Sequence, residues 1–231
     1  MEENKKRILV VEDEEKIMEF IESYLINSGY EVIKAYSGRA AESKLREERL
    51  DMLLLDLMLP DKSGEEILRN LRKESRIPVI ILTAKSSEES VINGLDIGAD
   101  DYITKPFSPR QMVARVNALF RRSEKGESGE TLSFRNGKLM INLENYRVMK
   151  EGEDILLTPS EFKLLTTLAK RNGKVFTREE LIMIAFDGDY AGFDRTIDSH
   201  IKNLRAKLED NPKEPEYILT IRGVGYKFGG D

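Results

Sequence analysis

Apolar residues along the first half of the chain follow two patterns that take turns. Short strand-like runs, most of them apolar as is typical of strands covered on both faces of a sheet, alternate with longer segments in which apolar residues recur at helical spacing. The runs lie at 8–11, 31–35, 52–56, 78–82 and 101–104. Because a helical segment follows each run, the pattern predicts five βα units and thus a doubly wound parallel sheet with helices on both faces.

The pattern changes after residue 122. Residues 123–130 contain no apolar side chain and are typical of a flexible linker. Beyond them, short alternating segments separated by turn residues predict a small antiparallel sheet, which is followed by three helices and a closing β-hairpin. We therefore predict two domains of different architecture, 1–122 and 131–231, joined by the linker.

Composition narrows the class of protein. A length of 231 residues suits two domains, and no apolar run approaches the roughly 20 residues that a membrane-spanning helix needs. The charged N-terminus differs from a signal peptide, and the absence of cysteine excludes disulfides and thiolate metal sites. These features predict a cytoplasmic protein that does not bind membranes. Because the net charge is −5, any nucleic-acid binding has to come from a local basic patch.

Candidate chemistry lies at the carboxyl ends of the predicted strands. Glu12 and Asp13 follow the first strand, and Asp56 ends the third. Thr83 ends the fourth strand and Lys105 follows the fifth. In a sheet of strand order 2-1-3-4-5 these ends are neighbours, so the five side chains converge on the edge where open α/β sheets bind ligands. Three carboxylates this close repel one another, and a hard divalent cation such as Mg²⁺ relieves that repulsion.

This set of residues suits the transfer of a phosphoryl group. With the metal bound, Asp56 is a usable oxygen nucleophile toward phosphorus. Mg²⁺, Lys105 and the Thr83 hydroxyl would then hold the three equatorial oxygens of the group in transfer. Taken singly, each residue has a simpler explanation, because acids at strand ends commonly cap helices and a surface lysine is usually solvated. The common register of all five residues favours a shared site.

Four segments resemble the receiver domain of two-component response regulators: VVEDE (10–14), DLMLP (56–60), LTA (82–84) and GADDYITKPF (98–107). The resemblance implies a flavodoxin-like fold with Asp56 as the phosphoacceptor. It also implies a switch in which Thr83 moves toward the phosphoryl oxygen and Tyr102 turns inward. The site residues that it implies are Asp13, Asp56 and the Met58 carbonyl on Mg²⁺, Glu12 on Mg²⁺ through water, and Lys105 and Thr83 on the phosphoryl group.

A helix over 194–209 is the main candidate for nucleic-acid binding. Its apolar residues form one stripe for burial. Residues 195–207 carry four basic side chains and one acid, Asp198, which gives a local positive excess in an acidic protein. A solvated amphipathic face explains such a pattern in many helices. Here, however, a hairpin with Arg222 and Lys227 follows, and a basic helix beside a basic wing is typical of DNA binding.

Further segments resemble the winged-helix domain of OmpR/PhoB-type regulators: LTPSEFKLL (157–165), TREEL (177–181), RTIDSHIKNLRAKL (195–208) and IRGVGY (221–226). The resemblance implies binding to double-stranded DNA at tandem half-sites, with RNA polymerase meeting the loop 183–194. His200, the single histidine, is interpreted as helix packing or a phosphate contact. The residues predicted to face DNA are Arg195, Thr196, Ser199, Lys202, Asn203, Arg205, Thr220, Arg222 and Tyr226.

The receiver resemblance also implies dimerisation through the fourth helix, fifth strand and fifth helix. Val91 and Gln111 stand where a basic and an acidic residue are usual, so one ion pair of the family pattern is missing. Because exposed ion pairs contribute only roughly 0–1 kcal/mol each, we still expect a homodimer on phosphorylation. The residues that match the intermolecular pairs of the family are Asp100, Asp101, Arg115 and Arg122.

The sequence therefore predicts a transcriptional regulator that accepts a phosphoryl group on Asp56 from a sensor histidine kinase, dimerises and binds promoter DNA. Its enzymatic chemistry would be limited to Mg²⁺-dependent phosphorylation and dephosphorylation of its own Asp56. Two alternatives stay open. An aspartyl-phosphate phosphatase would need an acid two positions after its nucleophile, where this chain has Met58. A regulator that works without phosphorylation is compatible with Val91 and Gln111.

Overall fold

The structure is a computed structural model that describes residues 5–84, 88–124, 130–185 and 195–230, without the side chains of 88–91, 122–124 and 195. The chain forms two compact units, Met1–Asn117 and Ala118–Asp231, which divide within the helix Pro109–Glu124. Among the helices of the described residues, none has the length and apolar character that a membrane crossing requires.

The first unit is a five-stranded parallel sheet of order β2-β1-β3-β4-β5, which confirms the predicted fold class and strand order. Helix α5 extends to Glu124, two residues into the segment predicted as a linker, and residues 125–129 lie outside the described residues. The elements of this unit are β1 (Arg7–Val11), α1 (Glu15–Asn27), β2 (Glu31–Ala35), α2 (Gly38–Glu47), β3 (Met52–Asp56), α3 (Gly64–Glu74), β4 (Val79–Thr83), α4 (Glu88–Asp96), β5 (Asp101–Thr104) and α5 (Pro109–Glu124).

The two central strands fix the position of the functional edge. Every residue of β3 and β4 is buried, as expected for strands in the middle of a doubly wound sheet. In the parallel register, Asp56 of β3 lies opposite Leu82, and Thr83 of β4 lies opposite Thr104 of β5. The carboxyl ends of neighbouring strands therefore meet at one edge, and polar residues that follow the apolar runs are placed side by side.

The second unit combines two antiparallel sheets with three helices. A four-stranded sheet of order β6-β7-β8-β9 comes first, and a three-stranded sheet of order β10-β12-β11 closes the unit. The predicted antiparallel sheet, helices and hairpin are present, whereas β10 was not predicted. The elements are β6 (Thr131–Phe134), β7 (Leu139–Asn142), β8 (Arg147–Lys150), β9 (Glu153–Ile155), α6 (Pro159–Ala169), β10 (Val175–Thr177), α7 (Arg178–Ala185), α8 (Arg195–Leu208), β11 (Ile218–Ile221) and β12 (Gly225–Phe228).

Local sequence signals explain how the helices of this unit begin. Thr158 and Glu161 form a capping box at the start of α6, in which the Glu161 carboxylate accepts the Thr158 N–H at 2.8 Å. Thr177 and Glu180 make the same pair of contacts at α7, at 2.9 and 3.2 Å. Both helix starts thus follow from a Thr and a Glu three residues apart in the sequence.

Candidate functional site

Three carboxylates meet at the carboxyl edge of the parallel sheet. Glu12 and Asp13 follow β1 and Asp56 ends β3, and one oxygen of each lies within 4.8 Å of the others. Glu12 is completely buried and Asp56 is 4% exposed, whereas Asp13 is exposed. The structure therefore brings together the three acids that the strand ends predicted.

Lys105 supplies the positive charge at this acidic site. Its Nζ lies 2.5 Å from Oδ2 of Asp56 and 2.6 Å from Oε2 of Glu12. The Lys105 backbone N–H donates to the Thr83 carbonyl at 2.7 Å, which aligns the ends of β4 and β5. The pKa of Glu12 is raised, because the effect of burial exceeds the opposing effect of the hydrogen bond from Lys105. Burial alone would lower the pKa of Lys105, but its hydrogen bonds to the two carboxylates raise it.

The donor chemistry of this site fits a hard divalent cation. Its three acids offer carboxylate oxygens only, which Mg²⁺ prefers, and their mutual repulsion favours a bound cation. The backbone N–H of Met58 donates to Oδ1 of Asp56 at 2.8 Å. The backbone of the residues after β3 is therefore close to the acids, as the predicted Met58 carbonyl ligand requires.

Two residues fix the loop that follows Asp56. A Cβ on Gly64 would collide with the Asp56 carbonyl oxygen and lie 2.7 Å from Cα of Leu57, so only glycine lets α3 begin this close to the site. Asp61 accepts the N–H of Gly38 at 2.7 Å and of Arg39 at 3.1 Å, which holds the loop against the first turn of α2. These hydrogen bonds lower the pKa of Asp61, and the one from the Arg39 N–H has the larger effect. Neither the close approach at Gly64 nor the role of Asp61 was predicted from the sequence.

Thr83 and Tyr102, the predicted switch residues, are both buried. Thr83 ends β4 and is 3% exposed, and Tyr102 of β5 is 7% exposed. Tyr102 belongs to the core cluster that also contains Leu95 and Ala99, so its ring lies inward in this structure. Its movement as part of a switch stays a prediction. Burial raises the pKa of the Tyr102 phenol.

Described side chains of the predicted dimer face form ion pairs within their own unit. Arg115 Nη1 lies 2.7 Å from both carboxylate oxygens of Asp101, and both residues are buried. Asp100 is completely buried and accepts the Val79 N–H at 3.0 Å and the Arg72 guanidinium at 3.1 Å. The prediction that Asp100 forms an intermolecular ion pair is wrong for this structure, because its carboxylate has no accessible surface.

The remaining residues of that face are only partly described. Gln111 is exposed on α5. The side chains of Val91 and Arg122 lie outside the described residues, so their predicted roles stay predictions. Residues 186–194 of the predicted polymerase loop, 183–194, also lie outside the described residues. The first residues of that segment belong to α7, where Met183 and Ile184 are exposed at 65% and 39%.

Helix α8 exposes fewer polar residues than the sequence predicted. Lys202 is exposed and Asn203 is half-buried, while the Arg195 side chain lies outside the described residues. Thr196 and Ser199 are 0% and 3% exposed, so the prediction that they face DNA is wrong. Their helical phase places them beside the apolar stripe that packs into the core. His200 is 1% exposed, which agrees with its interpretation as a packing residue.

The hairpin of β11 and β12 lies beside α8 as a wing. Thr220 and Arg222 are exposed on it, as predicted. Tyr226 is 5% exposed and its hydroxyl donates to Asp198 at 2.8 Å, so its predicted DNA contact is wrong. Arg205 donates to the Ile218 carbonyl and to Oγ1 of Thr220, and thus faces the wing in this structure.

This fold and site define a class of protein. A five-stranded parallel sheet with three carboxylates and a lysine at its carboxyl edge is a receiver domain, and receiver domains bind Mg²⁺ at such an acidic pocket. A recognition helix followed by a two-stranded wing is a winged-helix DNA-binding domain. A chain that carries both is a response regulator.

Comparisons with known proteins agree with this class. Residues 8–117 match the response regulator receiver domain, and residues 152–228 match the domain described as transcriptional regulatory protein, C terminal. The response regulator DrrB of Thermotoga maritima, described as an OmpR/PhoB homolog, is 38% identical over 98% of this chain and 100% of its own, with a TM-score of 0.53. The chain belongs to the OmpR/PhoB family of response regulators, and it is a transcription factor of a two-component system.

Two further solved structures are similar to this chain. A mutant of RitR is 30% identical over 98% of this chain and 100% of its own, with a TM-score of 0.77. The receiver domain of a Francisella response regulator is 38% identical over 52% of this chain and 99% of its own, with a TM-score of 0.50. The first likeness covers both domains and the second covers the receiver alone.

Proposed function

We propose that Asp56 accepts a phosphoryl group from the phosphohistidine of a sensor kinase, and that this modification controls DNA binding by the second domain. The observation that carries the proposal is the position of Lys105, whose ammonium group bridges Asp56 and the buried Glu12 at 2.5 and 2.6 Å. A cation held directly on the oxygen of a strand-end aspartate is suited to a phosphoryl oxygen that becomes attached there.

The chemistry follows from the residues at the edge of the sheet. An Asp56 oxygen forms a bond to phosphorus while the bond between phosphorus and the histidine nitrogen breaks, and the nitrogen keeps the electron pair. Glu12, Asp13, Asp56 and the Met58 carbonyl would hold Mg²⁺, which supplies positive charge to the phosphoryl oxygens. Lys105 and Thr83 would take the other oxygens. Hydrolysis of the acyl phosphate by water, which releases inorganic phosphate and restores Asp56, would be the only further reaction. The protein would thus act on itself and not as an enzyme on other substrates.

The response of the protein would be a change in oligomeric state and DNA affinity. The phosphoryl group would carry about 1.5 to 2 negative charges in place of the single charge of the Asp56 carboxylate, so the site next to Thr83 would gain roughly one negative charge, which biases the surface around β5. The phosphorylated receiver would form a homodimer, and two winged helices would then bind tandem half-sites of double-stranded promoter DNA and recruit RNA polymerase. These events would take place in the cytoplasm.

A regulator that works without phosphorylation is the second candidate. The Asp101–Arg115 pair favours it, because two residues that the family pattern predicts in intermolecular ion pairs are buried against each other. In that case the dimer would use another surface, or DNA affinity would respond to protein abundance alone.

Sedimentation of the full chain with Mg²⁺, with and without beryllofluoride as a phosphoryl mimic, distinguishes the two. The proposal predicts that the mimic converts monomer to dimer, and that Asp56→Ala stays monomeric. Glu31→Gln, at an exposed acid that begins β2 and so lies at the opposite, amino edge of the sheet, should respond like the wild type. A wild type that ignores the mimic, or that is dimeric throughout, contradicts phosphorylation control.

A further inference from the structure

Tyr226 lies at the centre of a polar cluster between α7, α8 and the wing. Its hydroxyl donates to Oδ1 of Asp198 at 2.8 Å, and Nε of Arg178 donates to the same oxygen at 2.7 Å. Nη2 of Arg178 reaches the other Asp198 oxygen at 3.3 Å, and the Arg178 guanidinium lies 5.2 Å from the centre of the Tyr226 ring. One aromatic side chain of β12 thus joins the first turns of two helices.

Arg205 approaches the same ring from further along α8. Its guanidinium carbon lies 5.6 Å from the centre of the Tyr226 ring. Its Nε and Nη2 donate to the Ile218 carbonyl at 3.0 and 2.6 Å, and Nη2 donates to Oγ1 of Thr220 at 2.7 Å. The recognition helix is therefore hydrogen-bonded to two residues of β11, and Arg205 is directed at the wing and not along the exposed face of the helix.

These contacts control where the tip of the wing lies. Tyr226 pairs with Thr220 across the hairpin, and Gly225 pairs with Ile221 next to the turn. Arg222, which is exposed, follows Ile221 directly. A Cβ on Gly225 would collide with the Phe176 carbonyl oxygen, so β10 supports the hairpin from its other side. The distance from α8 to Arg222 is thus set through Tyr226 and Arg205.

We propose that Arg178, Asp198, Arg205 and Tyr226, here called the wing clamp, are positioning residues that fix the wing relative to the recognition helix, so that Arg222 and α8 engage DNA together. The proposal rests on the DNA-binding function proposed above. Asp198 then has a positive role in DNA binding although it carries a negative charge on the recognition helix. Among the described side chains of α8, Lys202 and Asn203 would contact bases, whereas Arg205 would not.

The sign of one substitution separates this role from electrostatics alone. Asp198→Asn removes a negative charge from a helix that approaches phosphates, so charge alone predicts tighter binding. The wing clamp predicts weaker binding, because the charged partner of Arg178 is lost. The wild-type protein first enriches a DNA duplex from a pool of random sequence. The measurement is then the Kd of each full-length protein for that duplex, with Mg²⁺ and beryllofluoride. We expect Asp198→Asn to bind about tenfold more weakly, as for a lost direct contact; equal or tighter binding overturns the proposal.

A double-mutant cycle tests positioning directly. Arg222→Ala should weaken binding about tenfold in the wild type. In an Asp198→Asn or Tyr226→Phe background the factor should fall to about threefold or less, because a displaced wing no longer places Arg222 on DNA. Equal factors in all backgrounds mean that the cluster only stabilises the fold, and they overturn the proposal. Tyr226→Phe keeps the test available if Asp198→Asn does not fold.

Tyr217→Phe provides a matched control. Tyr217 is 4% exposed and its ring lies against Phe228 and Arg135, away from the wing clamp. We expect this variant to bind the duplex and to respond to Arg222→Ala like the wild type; a loss of coupling in this variant too overturns the specific role of the clamp. Failure of the wild type to enrich any duplex contradicts DNA binding itself, whereas equal factors with intact wild-type binding contradict only the wing clamp.

Discussion

Lys105 and Asp56 form an ion pair of 2.5 Å at the edge of the parallel sheet, although 49 residues separate them in the chain. Glu12, which is completely buried, lies 2.6 Å from the same ammonium group. Lys105 therefore offsets part of the repulsion between two carboxylates that have little water to screen them. The pair stabilises the edge of the sheet and places a cation on the proposed phosphoacceptor.

Lys105→Met tests this relationship. Without Mg²⁺, the variant should lose about 2 kcal/mol in its free energy of unfolding, less than the roughly 3–5 kcal/mol expected for a fully buried pair, because Lys105 is partly exposed. Mg²⁺ should stabilise the variant more than the wild type, since the ion replaces the missing charge. Urea titrations with and without Mg²⁺ measure both effects. Equal Mg²⁺ stabilisation of the two proteins contradicts the prediction. Lys62→Met, at a half-buried ion pair with Glu42 outside the acidic site, should gain no more stability from Mg²⁺ than the wild type does.

Gly64→Ala should move the loop that follows Asp56. Helix propensity favours alanine, but the new Cβ meets the Asp56 backbone, so we expect a loss of about 1–3 kcal/mol in stability and weaker Mg²⁺ binding. Gly94→Ala in α4 is the control, because its Cβ would meet only the Cδ1 atom of Ile81, which can move. Denaturation and calorimetric Mg²⁺ titration compare the two; a Gly64→Ala protein as stable as Gly94→Ala refutes the steric argument.

Arg72→Ala should destabilise the receiver without a specific effect on dimerisation. The Arg72 guanidinium donates to the carbonyls of Gly98 at 2.7 Å and Ile77 at 2.8 Å, and it pairs with the buried Asp100. Its loss leaves a buried carboxylate without its cation, which costs roughly 3–5 kcal/mol in the free energy of unfolding.

Asp100→Asn distinguishes a structural role of Asp100 from a dimer contact. We expect lower stability in urea, but an unchanged response to beryllofluoride in sedimentation at a temperature where the protein is folded. If the folded variant does not form the dimer with beryllofluoride, Asp100 takes part in dimer formation and the purely structural role is wrong.

The Tyr226 phenol should lose its proton at a higher pH than a free tyrosine, and it should make the free energy of unfolding depend on pH. Burial and the hydrogen bond to Asp198 raise its pKa to about 12, from about 10 in the unfolded chain. Because the folded state holds the proton more tightly, this contribution to stability is complete below about pH 10 and is lost as the pH rises through about 12. The difference in tyrosinate absorbance between wild type and Tyr226→Phe isolates this step, and a step near pH 10 contradicts the burial argument.

The number of strands and the residues of the acidic site could be predicted because both follow from local patterns, whereas the strand order 2-1-3-4-5 came with the resemblance to receiver domains. A short apolar run marks a buried strand, and the residue that follows it lies at the carboxyl edge whichever helices pack on the sheet. Glu12, Asp13, Asp56, Thr83 and Lys105 are all defined in this way. Cβ clashes, by contrast, depend on which backbone comes near, so the role of Gly64 could not be seen in the chain alone.

The sequence by itself determined most of the elements and the residues of the acidic edge, since both depend on periodicity and on the ends of strands. Only the tertiary structure decided which polar side chains face inward. Asp100 is buried because Arg72, 28 residues earlier, reaches it, and Tyr226 is buried because Asp198, also 28 residues earlier, accepts its hydroxyl. The spacing of apolar residues records which face of an element is covered, but it carries no signal for a polar partner on another element.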